Sequence, residues 1–166
     1  MNMPEGYGTR LARTLTMSPD PAIYTSGETW QDERRQVFAA SWQYVGDARS
    51  LARTGDHLTA SFAGYRVLVV RQSDGGLKAF HNICRHRAAP VVEADGYARS
   101  AVLTCPYHRW AYGLDGGLRT TPEFGDVAGF RCEDHGLLPV HVEDWRGHVF
   151  VHLGDSPESL EGALTD

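Results

Sequence analysis

The sequence predicts a mostly-β domain preceded by one N-terminal α-helix. Three observations carry this: a single stretch of helical period, a change to period two after Gly46, and glycine-marked turns between the short apolar runs that follow. The helix lies in "YTSGETWQDERRQVFAASWQYVG", where Trp30, Val37, Phe38, Trp42 and Val45 recur near helical period. Thr25 and Glu28 have the spacing of a capping box, which predicts a helix over 26–45. "DHLTASFAGYRVLVVRQSDGGLKAFHNIC" predicts three strands, turning at Ala63-Gly64 and at Ser73-Asp74-Gly75-Gly76. "AVLTC" is a further strand, and "RWAYGLDGGLR" a hairpin about Asp115-Gly116-Gly117. "LLPVHVEDWRGHVFVHL" adds two strands around Trp145-Arg146-Gly147, and "GDSPESLEGALTD" is a turn leading into the start of a helix. Trp30, Trp42 and Trp145 are expected core anchors. There is no internal repeat.

A chain of 166 residues suffices for one domain with its own core. Its 42% hydrophobic and 22% charged residues are those of a soluble globular protein. The net charge of −5, from 16 basic and 21 acidic residues, leaves no electrostatic footprint for nucleic acid. No apolar run is long enough to span a membrane. "MNMPEGYGTRLARTLTMSPDP" lacks the apolar centre of a signal peptide and any paired-arginine export signal, so 1–23 reads as a flexible arm that docks on a partner. Three cysteines make an odd count, against a disulfide framework and in favour of a cytoplasmic location.

Cysteine and histidine then stand together twice. Cys84-x-His86 lies in "CRHRAAP" and Cys105-x-x-His108 in "CPYHRW", with 18 residues (87–104) between the pairs. Each pair sits where a predicted strand runs into a loop, after "LKAFHNI" and "AVLT". Two such loops at one end of a small β-barrel face each other and gather four metal donors. Two thiolates and two imidazoles can make a tetrahedral zinc site. Zinc sites, however, usually segregate their ligands, with two cysteines in one knuckle and two histidines on a helix. One of each type per loop suits a two-iron cluster, with both cysteines on one iron and both histidines on the other, the ligand set of a Rieske [2Fe–2S] centre.

"CRHR" followed by "CPYHRWAYGLDG" resembles the N-terminal Rieske domain of the ring-hydroxylating (Rieske non-haem iron) oxygenase α-subunits, as do "YTSGETWQDERRQVFAASWQYVG" and "VEDWRGHVFVHL". The likeness runs from about Tyr24 to Leu153. Ala88 departs from it, standing where many relatives carry glycine, and the loop spacing is slightly longer than the commonest. The resemblance implies a Rieske-type antiparallel β-sandwich or barrel over 24–154, with two cluster-binding loops holding a [2Fe–2S] cluster on Cys84, His86, Cys105 and His108. Such relatives continue into a second domain, where two histidines and an aspartate hold a mononuclear Fe(II) that reacts with dioxygen and substrate. The acid-x-x-His-x-x-x-x-His motif of that domain is absent, so no catalytic residue is expected here, and 155–166 reads as a tail or as its beginning. The implied partners are a ferredoxin or flavin reductase as donor and the oxygenase catalytic domain as acceptor, in a homo-oligomeric (trimeric) assembly. The alternatives are a free-standing ferredoxin-like electron carrier and a zinc-stabilised binding module. The helix favours the oxygenase, because small Rieske ferredoxins begin directly with strands.

Charge counting sets the redox character. Two ferric ions, two sulfides and two thiolates sum to zero, whereas an all-cysteine cluster starts more negative and accepts an electron less readily; Rieske potentials therefore lie at roughly −150 to +300 mV. The respiratory-chain members tie their loops with a disulfide and donate a serine hydroxyl to the cluster. Here Ala88, Ala89 and Tyr107 exclude the bridge and Trp110 stands in the serine's place, while Tyr112 is placed to donate to a cysteine sulfur. These differences predict a potential near the low end, falling with alkaline pH as a ligand imidazole loses its proton. Arg85, Arg87 and Arg109 flank the pairs; they either steer an acidic donor or pair with Asp95, Glu123 or Asp126. His135, His141, His148 and His152, beside Glu143 and Asp144, resemble the ingredients of a facial triad but read as surface or edge histidines. His57 and His81 read as structural, and Cys132 as a spare thiol in a loop.

Overall fold

The computed structural model describes residues 18, 20–125 and 127–165. Residues 1–17 and 19 of the expected arm therefore lie outside the described residues. The chain divides into two compact units, one ending at Glu33 and the other beginning at Arg34.

In the first unit Pro21–Tyr24 form a 3-10 turn, capped by Asp20, whose carboxylate accepts from the Ala22 N–H at 2.9 Å. Helix α1 spans Gly27–Glu33. Its cap is Ser26, whose hydroxyl accepts from the Thr29 N–H at 3.2 Å, and not Thr25 as the capping-box spacing predicts. The helix is also far shorter than 26–45. In the second unit Arg34–Phe38 form a π-helical turn, with the Ala39 N–H donating to the Arg34 carbonyl at 3.0 Å. The Ser41 hydroxyl then takes the Val37 carbonyl at 2.6 Å, and residues 43–47 leave for a sheet. Trp42 and Val45 fit a helical stripe, yet Trp42 lies outside any helix and Val45 lies in a strand paired with residues 148–151.

Among the described residues ten strands follow: β1 Gln43–Asp47, β2 Asp56–Phe62, β3 Tyr65–Arg71, β4 Leu77–His81, β5 Gly96–Tyr97, β6 Val102–Thr104, β7 Ala111–Gly113, β8 Leu118–Thr120, β9 Pro139–Trp145 and β10 His148–His152. Helix α2, Leu160–Thr165, ends the described chain. All pairings are antiparallel, in a seven-stranded sheet ordered β1-β10-β9-β4-β3-β2-β5 and a three-stranded sheet ordered β6-β7-β8. The expected hairpins are present. Ala63-Gly64 and Arg146-Gly147 turn with both residues at positive φ, the backbone that matches the twist of a two-residue hairpin. Gly116 turns β7 into β8 at φ +86°, where a Cβ would run into the Phe80 ring, so only glycine fits.

Strand β3 shows how the sheet supports two cores. Val67 and Val69 face Leu51, Leu58, Val149 and Val151, whereas Leu68 and Val70 face the layer that holds Cys84, Cys105, Trp110 and Tyr112. The run "VLVV" is therefore buried on both sides. The tryptophan expectation needs correction. Trp30 is 43% exposed, and Trp42 and Trp145 are half-buried; the indole of Trp42 must reach the Glu158 carbonyl and that of Trp145 lies under Arg146. The buried tryptophan is Trp110, at 2% exposed.

Candidate metal centre

Both cysteine-histidine pairs occupy the ends of loops that leave the site layer. The first loop runs from β4 to β5 and the second from β6 to β7. Each closes on itself in the same way. In the first, the Cys84 N–H donates to the Ala89 carbonyl at 2.7 Å and the Ala88 N–H to the Cys84 carbonyl at 3.0 Å. In the second, the Cys105 N–H donates to the Trp110 carbonyl at 2.9 Å and the Arg109 N–H to the Cys105 carbonyl at 3.0 Å. The residue four after each cysteine is left-handed, Ala88 at φ 57° and Arg109 at φ 61°. That is the conformation glycine adopts most readily, which accounts for Ala88 as a departure.

These turns bury the thiols and leave the imidazoles facing each other. Cys84 is 3% and Cys105 1% exposed, and the His86 and His108 rings lie 4.5 Å apart, centroid to centroid, at 71°. Burial pushes the Cys105 thiol up, with Cys84 adding to the effect; a cationic group is needed to hold it as a thiolate. Burial, then His108, then Arg87 hold His86 below the usual imidazole value, so it presents a neutral ring with a free lone pair. Its Nδ1 is buried with no hydrogen-bond partner among the described residues. An orphan of that kind is a group awaiting a ligand. The donor set thus suits a metal centre that takes two thiolates and two neutral imidazoles. Among the described residues no three His, Cys, Asp or Glu side chains converge as a single ion would require. A two-iron cluster makes no such demand, since it takes two protein ligands per iron.

Residues 41–131 match the Rieske [2Fe-2S] domain. The chain belongs to that family. It is 31% identical over 163 residues to the carnitine monooxygenase oxygenase subunit of Acinetobacter pittii, covering 95% of this chain and 44% of that subunit. It is 36% identical over 141 residues to the biphenyl 2,3-dioxygenase subunit alpha of Rhodococcus jostii, covering 84% of this chain and 30% of the relative. Among solved structures it superimposes on a quaternary ammonium Rieske monooxygenase with a TM-score of 0.79 at 33% identity, over 87% of this chain and 39% of the other; that structure bears on carnitine oxidation and inter-subunit electron transfer. This Rieske chain thus spans less than half the length of these relatives. The Rieske [2Fe–2S] cofactor and the mostly-β antiparallel fold expected from the sequence both stand.

Around the Rieske loops, Tyr112 is fully buried, with its hydroxyl 3.3 Å from Cys84 Sγ and 3.0 Å from the Arg85 N–H. Burial, then Cys84, push its pKa well above the usual range, so it keeps its proton. Cys105 Sγ lies 3.6 Å from the Pro90 carbonyl. Trp110 stacks on His86, and the 59%-exposed Tyr107 leans on His108 with centroids 3.8 Å apart. Arg85, Arg87 and Arg109 are exposed, and among the described residues none is in an ion pair. Asp95 instead accepts from the Thr59 N–H at 2.7 Å, and Asp126 lies outside the described residues.

The sequence reading missed Asn82, Phe124 and Phe130. Asn82, 4% exposed, accepts from the Val91 and Val92 N–H groups at 2.8 and 3.2 Å and donates to the Val92 carbonyl at 2.8 Å, which fixes the far side of the first loop. A lone amide inside the run "AFHNIC" was the available signal. Phe124 and Phe130 reach the site from beyond β8 and carry no local pattern. The C-terminal histidines are otherwise engaged: His148 with Asp47 at 3.2 Å, His152 with the Gly154 N–H at 3.0 Å, and His141 with the Asp155 carbonyl at 3.1 Å. His57 is buried beside the Gly55 carbonyl at 3.2 Å. No helix of the described residues is long and apolar enough to cross a membrane.

Proposed function

We propose that Cys84, His86, Cys105 and His108 hold a [2Fe–2S] cluster and that the chain carries single electrons to the mononuclear iron of a Rieske oxygenase. The observation that supports this is the matched pair of closed loops, whose two thiols are buried and whose two imidazole rings stand 4.5 Å apart. Bound there, the cluster would supply one-electron storage at modest potential. The chain's own residues do the rest. The closed turns fix the sulfurs in place, and Tyr112 keeps its proton and holds it at 3.3 Å from Cys84 Sγ. The apolar layer of Leu68, Val70, Leu103 and Leu137 keeps water from the cysteine side. The histidine side is left as the route in and out.

The relatives' names support the division of labour. Carnitine and biphenyl oxygenases share this domain, so it serves electron delivery, and the choice of substrate belongs elsewhere. In this reading 24–154 is the electron-transfer domain, 155–166 leads towards a catalytic domain, and the acceptor iron lies in a neighbouring subunit of a trimer. The exposed Arg85, Arg87 and Arg109 suit an acidic ferredoxin or flavin reductase as donor, on a chain that is acidic as a whole.

The test is reconstitution of the full chain with iron and sulfide. Two irons per chain, with a rhombic EPR signal on reduction that is lost in Cys105→Ala and His108→Ala, are expected. A colourless chain that binds one zinc and takes up no iron with sulfide would overturn the assignment. Electron uptake from an acidic ferredoxin should slow as salt rises past the point where the screening length falls to about 10 Å, near 0.1 M. A rate that rises with salt would remove the arginine rim from the reading.

A further inference from the structure

We propose that Trp110 is a positioning residue, which reaches across from the second loop and fixes the ring plane of His86 on the first. The inference rests on the assignment of His86 as a cluster ligand.

The chain delivers Trp110 by a specific route. Arg109 is left-handed at φ 61°, which turns the backbone so that the Trp110 carbonyl takes the Cys105 N–H at 2.9 Å and the indole turns inward to 2% exposure. There it lies flat on His86, centroids 4.8 Å apart and planes only 7° from parallel. Phe124 stands edge-on to both rings, 5.9 Å from His86 and 5.1 Å from Trp110. Phe130 supports the pair from behind, 5.7 Å from Trp110 and 4.7 Å from Phe124.

A histidine that binds metal is ordinarily oriented by the hydrogen bond its other ring nitrogen donates. Among the described residues neither nitrogen of His86 makes one, and Nδ1 is buried without a partner. Ring packing therefore does for His86 what a carboxylate or carbonyl does elsewhere. The two histidines are unequal in this respect. Beyond His86, the aromatic neighbour of His108 among the described residues is Tyr107, tilted at 39° and 59% exposed, which offers an open cover and no buried wall. A serine at position 110 could donate a hydrogen bond but could not make this contact, so the exchange of serine for tryptophan replaces one means of controlling the site with another.

The experiment compares Trp110→Leu, which keeps bulk and apolarity, with Trp110→Phe, which keeps an aromatic face. Both are made in the full chain, reconstituted with iron and sulfide, reduced, and examined by pulsed EPR with 15N-labelled histidine. In Trp110→Leu the 15N coupling of one histidine should shift or broaden while the other holds, and bleaching by a chelator should quicken by about 10-fold or more, the usual cost of losing an orienting partner. Trp110→Phe should restore both. Thermal unfolding of each variant separates this from a packing defect: if both variants melt earlier yet keep wild-type couplings, the role is structural and the proposal fails. A second arm uses the folded chain before iron is supplied. The ring protons of His86 should resonate upfield under the indole and return towards their ordinary positions in Trp110→Leu. Absence of that upfield shift in the wild type would overturn the stacking itself. An intact shift in a chain that gives no EPR signal after reconstitution would instead count against the cluster assignment, and with it the proposal.

Discussion

Replacing Tyr112 by phenylalanine removes one oxygen from a fully buried side chain and leaves its ring in place. That oxygen has two neighbours. The Arg85 N–H, 3.0 Å away, can only donate to it, which leaves the hydroxyl's own proton for Cys84 Sγ at 3.3 Å. The phenol stays protonated because burial, then Cys84, raise its pKa well above the usual value, so the donor persists through the whole accessible pH range. Adding an electron to the bound cluster increases negative charge on the sulfur and strengthens the bond. A hydrogen bond to a charged group contributes about 1.5–3 kcal/mol; if about half of that appears only on reduction, the reduced form loses about 1 kcal/mol, which at 59 mV per tenfold change lowers the midpoint by about 40 mV. The Arg85 N–H is left without its partner as well, at a cost of about 1–3 kcal/mol in stability. A dye-equilibrated redox titration of wild type and Tyr112→Phe at neutral pH measures the first quantity, and urea unfolding the second. A midpoint that stays put or rises in Tyr112→Phe would show that the hydroxyl does not serve the sulfur and that the orientation argued from Arg85 is wrong.

Ala88→Gly should stabilise the chain: a left-handed alanine costs about 1–2 kcal/mol and the added freedom of glycine in the unfolded chain returns about 0.5–1, so a net gain of about 0.5–1 kcal/mol should raise the melting temperature by about 1–4 °C. A lower melting temperature would mean that the Ala88 methyl group makes a contact that matters more than its backbone strain. Asn82→Ala strips two N–H groups and one carbonyl of the first loop of their partner and should cost about 2–4 kcal/mol, with faster loss of iron to a chelator; unchanged stability would show that the loop is held elsewhere. The Arg53 N–H, then its guanidinium, hold the buried Asp56 below the usual carboxylate value. A lowered folded-state pKa means that Asp56 contributes stability above about pH 4, the unfolded value, and loses it as pH falls through the folded one. Urea midpoints between pH 7 and pH 3 should therefore fall more steeply for the wild type than for Asp56→Asn, and parallel curves would refute the linkage.

The hairpins were legible because alternation and left-handed turn residues are local signals, as at Ala63-Gly64 and Arg146-Gly147. Strand β1 was not: Val45 satisfies a helical stripe, and the deciding partner, β10, lies at the other end of the chain. The two-residue strand β5 is exposed and shows no pattern at all. At the site, the four donors could be read because each pair lies within one short loop. Trp110 and Tyr112 stood out as neighbours of the motif, but their roles depend on contacts that cross from one loop to the other. Trp30 was expected in the core as a large aromatic on the helical stripe, and it is 43% exposed.

The pairing of Gln43 with Val151 also has a consequence for how the protein is made. During synthesis β1 emerges early, and its backbone groups must stay wet or be shielded until β10 has left the ribosome. Both donor-bearing loops, by contrast, are complete once β7 has been made. All four donor side chains are therefore synthesised before the strand that covers the outer edge of the larger sheet, and a pause in translation after β8 would lengthen the interval between the two.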